Sequence, residues 1–135
     1  MGPKFLDKYR DEGLLFLRAG LGIMFILHGW PKMMGGPEQW AGLGNLGIGF
    51  APVVWGFMAA FAELVGGVCL IIGFMLRPAC GLLFINMFVA VVFHLKKGDG
   101  FMGASHAIEL GIVFLSLVFI GPGEYRLSMQ RKKKK

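Results

Sequence analysis

Charge is scarce in this chain, and cysteine nearly absent. Of 135 residues, 16% are Asp, Glu, Lys or Arg, where about 25% is usual. Those charges crowd into the first dozen residues, two short loops and the last dozen, and the stretches between are almost free of them. That excludes an ordinary water-soluble domain. The two cysteines, Cys69 and Cys80, fall inside apolar stretches at different depths, which argues against a disulfide and for small packing residues. The first apolar stretch follows a mixed-charge segment and carries no small-x-small cleavage site, so an uncleaved first helix is expected. A tight metal motif such as H-E-x-x-H is also missing.

Apolar residues are abundant: 56% of the chain is hydrophobic, above the usual range of about 45–50%. They form four runs, about 13–30, 52–76, 78–95 and 104–121. Each run is long enough as a helix to cross a hydrocarbon core about 30 Å thick. Lipid supplies no partner for backbone N–H and C=O groups, so the spans must be helical. The expected fold is all-α, a four-transmembrane-helix bundle. Residues 1–12 form a polar entry segment, 13–121 the membrane domain and 122–135 a basic tail. Pro31 is expected to end the first span, a turn around Arg77 to join the second and third, and Gly121-Pro122-Gly123 to end the fourth. A short interfacial helix is expected over Pro37–Leu43.

Lysine and arginine set the expected orientation. Lys4, Lys8, Arg10, Arg77, Arg126, Arg131 and Lys132–Lys135 fall on one side, Lys32, Lys96 and Lys97 on the other. That bias predicts both termini in the cytoplasm of a multi-pass inner (plasma) membrane protein. Trp30, Trp40 and Trp55 fall at the outer boundary and Tyr9 and Tyr125 at the inner one, which agrees. Net charge is +6. In a soluble domain such an excess would suggest nucleic acid. Here it lies mostly in the terminal run, so the expected partner is the lipid bilayer and not nucleic acid. Small residues spaced by four, such as Gly56 and Ala60 or Ala62 and Gly66, predict close helix packing.

The residues lipid should reject are Arg18, His28, Glu63, Asn86, His94, His106 and Glu109. A charge at mid-bilayer costs at least about 2.5–3.5 kcal/mol, so such groups face the bundle interior and take partners. His28, His94 and His106 fall at outer ends of spans, Glu109 one turn from His106, Glu63 near mid-bilayer and Arg18 deeper, where it is positioned to pair with Glu63. Three readings stand open. In the first, Arg18 and Glu63 form a buried pair that fixes register. In the second, His28 and His94 ligate a haem, or His28, His94 and His106 hold a transition metal with Glu109. In the third, acids and histidines flank a quinone or other small-molecule pocket and handle its protons. Lys32 is read as reaching the lipid headgroups.

The same residues resemble the DoxX family of small bacterial membrane proteins. The resemblance runs along nearly the whole chain. It is carried by Arg18-Ala19-Gly20-Leu21-Gly22, Phe25-Ile26-Leu27-His28-Gly29 and Lys32, then by Ala62-Glu63-Leu64-Val65-Gly66-Gly67 with Leu70, Gly73 and Arg77, then by His94, Glu109 and Gly121-Pro122-Gly123-Glu124-Tyr125. One departure is visible. Where the family continues with Ser-hydrophobic-Asp, this chain has Arg126-Leu127-Ser128, so no role for a C-terminal acid carries over. The resemblance implies a four-helix membrane bundle associated with respiratory and redox chemistry, in some members as subunits of quinone-linked oxidoreductases or terminal oxidases.

The expectation is therefore a small membrane subunit supporting quinone-coupled electron transfer. Glu63 and Glu109 are the candidate acid–base groups. Arg18, His28 and His94 are candidate cofactor contacts, and His28, His94 and His106 candidate metal ligands. Quinone, haem or a transition metal would be the cofactor, and other membrane subunits or further copies of the chain the partners. The alternatives are a non-catalytic accessory subunit at the edge of a larger complex, or a small metal or metabolite transporter.

Overall fold

The computed structural model describes residues 4–45 and 50–127, all of whose regular structure is helical. The expected basic run Arg131–Lys135, and Ser128, lie outside the described residues. A short 3-10 turn, Lys4–Tyr9, leads into α1 (Arg10–Met34). Then come α2 (Gly36–Gly44), α3 (Pro52–Ile72), α4 (Leu76–Lys97) and α5 (Gly100–Ile120). Helices α1, α3, α4 and α5 are each long and apolar enough to cross a membrane. The expected short helix over Pro37–Leu43 is present as α2.

Two helix boundaries differ from expectation. Pro31 does not end α1, which continues to Met34. The proline sits in the last turn, where it removes a single backbone bond and leaves little helix beyond to kink. Second, the α3–α4 turn is Gly73–Met75, so Arg77 is the second residue of α4 instead of the turn itself. Gly73 takes a left-handed conformation (φ 70°) and closes α3 by donating to the Cys69 carbonyl at 2.9 Å. Pro78 then falls in the first turn of α4, where its missing N–H would have had no intrahelical partner.

Helix α3 is the hub of the bundle, because it carries glycines on faces that meet three neighbours. Toward α1, a Cβ on Gly22 would lie 2.5 Å from the Gly67 carbonyl oxygen, and one on Gly67 would lie 2.8 Å from that of Gly22. Toward α2, a Cβ on Gly56 would strike the Trp40 backbone. Toward α4, Gly66 accommodates Leu83. Without side chains at these crossings the backbones touch, which is how helices gain dispersion contact in lipid. The core is filled by Phe25, Leu70, Leu76, Cys80, Leu83, Met87, Ala107, Phe114 and Leu117.

Both described chain ends lie at one end of the bundle. The Glu124 N–H donates to Asp11 Oδ1 (3.2 Å), and the Tyr125 hydroxyl to Glu12 Oε1 (3.3 Å). At that end the chain after α5 folds back, and the Leu127 N–H donates to the Ile72 carbonyl (2.9 Å). The opposite end carries α2 and the α4–α5 turn at Gly98–Asp99.

Candidate functional site

The site starts from Gly29. A Cβ there would come within 2.8 Å of the Leu64 nitrogen and 3.1 Å of Glu63 Cβ, so glycine lets α1 press against α3 where Glu63 sits. Lys32 is three residues further along α1 and projects from the same face. Because α1 continues through Pro31, Lys32 stays on the helix and reaches across to Glu63. Its ammonium donates to both carboxylate oxygens at 2.8 Å. Asn86 of α4 adds a third bond, Nδ2 to Oε1, at 3.2 Å. Glu63 is 6% exposed. A buried carboxylate is tolerated only when a cation and hydrogen-bond donors surround it, and here both do. Trp40 of α2 steadies the lysine backbone, its indole Nε1 donating to the Lys32 carbonyl at 2.9 Å.

Above this pair the bundle is hollow. A cavity of about 400 Å³ is lined from four helices: by Met24, His28 and Lys32 of α1, Glu63 of α3, His94 of α4 and His106 of α5, among others. A second cavity of about 230 Å³, bounded partly by α2, shares Lys32, Glu63, Met87, Ala90 and His94 with the first. The ion pair therefore borders both chambers. Apart from these groups the larger chamber is walled by apolar side chains such as Leu21, Phe25, Met87 and Leu110.

Two of the histidines have ring hydrogen bonds whose partners only accept. His28 Nδ1 lies 2.7 Å from the Met24 carbonyl oxygen. A carbonyl only accepts, so Nδ1 carries hydrogen and Nε2 of the neutral ring is an acceptor. His94 Nδ1 lies 2.7 Å from Asp99 Oδ2, which fixes the same tautomer. That hydrogen bond holds the Asp99 carboxyl below the usual carboxylate range, with Lys97 assisting.

The structure thus brings together four of the expected residues, His28, Glu63, His94 and His106, and separates two. Glu109 does not line either chamber and is exposed on α5. Arg18 does not pair with Glu63. It is fully buried near the terminal end, where Nε donates to Leu70 O (3.0 Å), Nη2 to Ile71 O (3.2 Å) and Nη1 to Pro122 O (2.5 Å) and Tyr125 O (2.8 Å). Leu70 lies seven residues from Glu63 along α3, about 10 Å at 1.5 Å per residue. At that separation Arg18 serves the last carbonyls of α3, which lack intrahelical donors. Lys32 takes the role foreseen for Arg18 and does not extend to the headgroups. Its spacing of four from His28 was the signal available. Asp99 was not foreseen, since it stands in a turn beyond the apolar runs. Among the described residues, no group of three or more His, Cys, Asp or Glu side chains could hold a metal ion.

Comparison with known proteins agrees with this architecture. The DoxX family model matches residues 13–96. This chain belongs to the DoxX family. The match spans α1, α2, α3 and nearly all of α4, and so includes His28, Lys32, Glu63, Asn86 and His94, while His106 and Glu109 lie beyond it. An uncharacterized protein of Haemophilus influenzae is 34% identical over 135 residues, covering 96% of this chain and 98% of that one. The inner membrane protein YqjF of Escherichia coli is 30% identical, covering 96% and 99%. CatD of Bacillus subtilis, provisionally named an oxidoreductase, is 31% identical over 98 residues, covering 73% and 70%. No solved structure matches. The DoxX chain is a multi-pass membrane protein with four apolar spans.

Proposed function

We propose that this DoxX protein is an inner-membrane subunit that binds a quinone-class molecule and handles its protons, with both termini in the cytoplasm. One observation carries the reading: a largely apolar chamber of about 400 Å³ whose lining includes one carboxylate–ammonium pair and three histidines. That volume lies within the usual range for small-molecule sites, about 300–1,000 Å³, and the pattern of apolar walls with few polar groups is typical of them. The oxidoreductase name given to CatD adds only family-level support.

The chemistry follows from the side chains. Lys32 offers N–H donors to a quinone carbonyl oxygen. His28 presents an Nε2 acceptor to a quinol hydroxyl. Oxidation of a quinol releases two protons and two electrons. Glu63 accepts one proton as its hold on Lys32 loosens. His94 accepts the other at Nε2 and passes its Nδ1 proton to Asp99, at the bundle end. The electrons leave to a partner redox subunit, which makes association with other membrane proteins part of the proposal. The haem and metal readings have less support, because His28, His94 and His106 border the chamber without forming an ion-binding group.

The test is equilibrium binding of a ubiquinone analogue to the purified protein in lipid, with extraction of quinone from protein taken gently from native membrane. Wild type should bind, and the double variant Lys32→Met/Glu63→Met should lose at least tenfold in affinity while remaining folded. Equal binding by the two would sink the proposal. The rival reading is an accessory subunit. It is favoured by the fact that Glu63 already has three hydrogen bonds without any ligand. On that reading the double variant leaves the parent complex assembled and active.

A further inference from the structure

We infer that the chamber opens sideways into the bilayer between α1 and α5, so that its ligand enters from the lipid phase and binds with its polar head inside and its apolar tail outside. The inference rests on reading the chamber as a ligand site, and it adds the route and the shape of the ligand.

The helices do not close a ring. Helix α1 packs on α3, α3 on α4, and α4 on α5. No Cα of α1 comes within 8 Å of a Cα of α5, although both helices line the same chamber. Packed helices run 8–10 Å axis to axis, and their facing backbones come closer than that. The fourth wall is therefore bridged by side chains. Phe25 of α1 meets Phe114 of α5 edge to face, with ring centroids 5.0 Å apart.

That aromatic pair forms the lower sill of the gap. The two helices run antiparallel, so one turn toward the end that carries α2 leads to His28 on α1 and Leu110 on α5, and a second turn of α5 to Ala107. Met24, His28, Leu110 and Ala107 all border the chamber there. Met24 is half exposed on the outer face of the bundle. Along this gap the surfaces are apolar, apart from the His28 and His106 rings. The charged groups, Lys32 and Glu63, lie across the chamber on the far side of α1 and on α3. A ligand that fits must place hydrogen-bonding atoms toward Lys32 and Glu63, and an apolar remainder toward the gap. Water-soluble metabolites lack the second part, and plain acyl chains lack the first. A membrane-borne amphiphile with a compact polar ring has both.

The first test needs no ligand. A small hydrophobic diazirine probe, partitioned into proteoliposomes holding the unmodified protein, is photolysed and its adducts are mapped by mass spectrometry. Adducts are expected on Phe25 and Ala107, which are buried and line the larger chamber but not the smaller one, as well as on outward-facing residues. Adducts confined to outward faces would overturn the portal, whether because the gap is shut or because a second copy covers it. The second test traps the entrance. Met24→Cys and Leu110→Cys, in a Cys69→Ala/Cys80→Ala background, are joined by a short bifunctional thiol reagent after loading with a long-tailed quinone analogue. Release of the analogue should slow at least tenfold. Unchanged release would overturn the portal while leaving the binding site standing. If the uncrosslinked protein binds no analogue but Phe25 and Ala107 are photolabelled, the portal stands and the quinone assignment falls.

Discussion

The two ends of this bundle each hold a cation inside a membrane helix, and they use it in opposite ways. At the terminal end Arg18 is wholly buried and spends its N–H groups on four backbone carbonyls. The guanidinium's fixed fork suits this, because it can bind several carbonyls at once and does not give up its proton. Arg77 reinforces the same end, its Nε donating to Val118 O at 3.0 Å. At the other end Lys32 keeps 30% of its side chain exposed, faces two chambers and pairs with a single carboxylate. An ammonium on a flexible stem can swing from one acceptor to another. The arginine contacts are enclosed, whereas the lysine contact borders open space.

The sharpest way to break that comparison is at Arg18. Arg18→Met leaves four carbonyls without their donor. Hydrogen bonds to a charged group contribute about 1.5–3 kcal/mol each, although not additively. A loss of more than about 4 kcal/mol is expected, read as denaturation in mixed micelles, and Arg18→Lys should recover only a part. If Arg18→Met is as stable as wild type, the terminal end is not held by this residue.

At the lysine end a single change should be harmful and a paired one mild. Glu63→Met alone leaves Lys32 without its partner and should cost about 3 kcal/mol. Adding Lys32→Met should restore most of it, because a partly buried ion pair replaced by apolar residues is often neutral. Binding should not return with stability. Recovery of both together would mean that the pair has no role beyond packing.

A smaller effect is expected where the helices cross. Gly22→Ala forces a methyl group against the Gly67 carbonyl oxygen, and overpacking of this kind costs about 1–3 kcal/mol. The same substitution at Gly20, which faces open space, should be neutral or slightly stabilising. A cost at Gly20 equal to that at Gly22 would contradict the crossing point.

The mildest effects are pH-dependent, and they separate the ends by sign. Asp99 has a lowered value in the fold, mainly through its hydrogen bond from His94. Its contribution is present above the unfolded value of about 3.9 and is lost as pH falls through the lower folded one. Tyr125 has a raised value, mainly through the Glu12 carboxylate beside it. Its contribution is present below about 10 and is lost as pH rises through the higher folded value. Hydrogen exchange should therefore show the α4–α5 turn loosening in acid and the 121–127 segment loosening in alkali. Asp99→Asn should remove the first step and leave the second.

Much of the fold was legible because lipid imposes one-dimensional rules. A run of about twenty apolar residues must be a helix in lipid, whatever its neighbours are. The four spans, the short helix after α1 and the break at Gly121-Pro122-Gly123 all followed from that. The cavity residues were legible as a set, since His28, Glu63, His94 and His106 are side chains that lipid rejects. Their partners were not legible. Arg18 was matched with Glu63 on charge and depth, and Lys32 was assigned to the headgroups as a long cationic side chain near a span end. Asp99 carried no signal, because an acid in a polar turn is ordinary.

The sequence by itself determined that four helices cross a membrane and that most polar side chains within them turn inward, Glu109 excepted, because the transfer of charge and of bare backbone into hydrocarbon is unfavourable. Which inward group meets which was decided only by the tertiary structure. Gly29 and the Gly22–Gly67 crossing set how far α1 slides along α3, and one helical turn of slippage, about 5.4 Å, exceeds the reach of the 2.8 Å bonds between Lys32 and Glu63. Register between helices is a property of two surfaces in contact, and no single run of residues contains it.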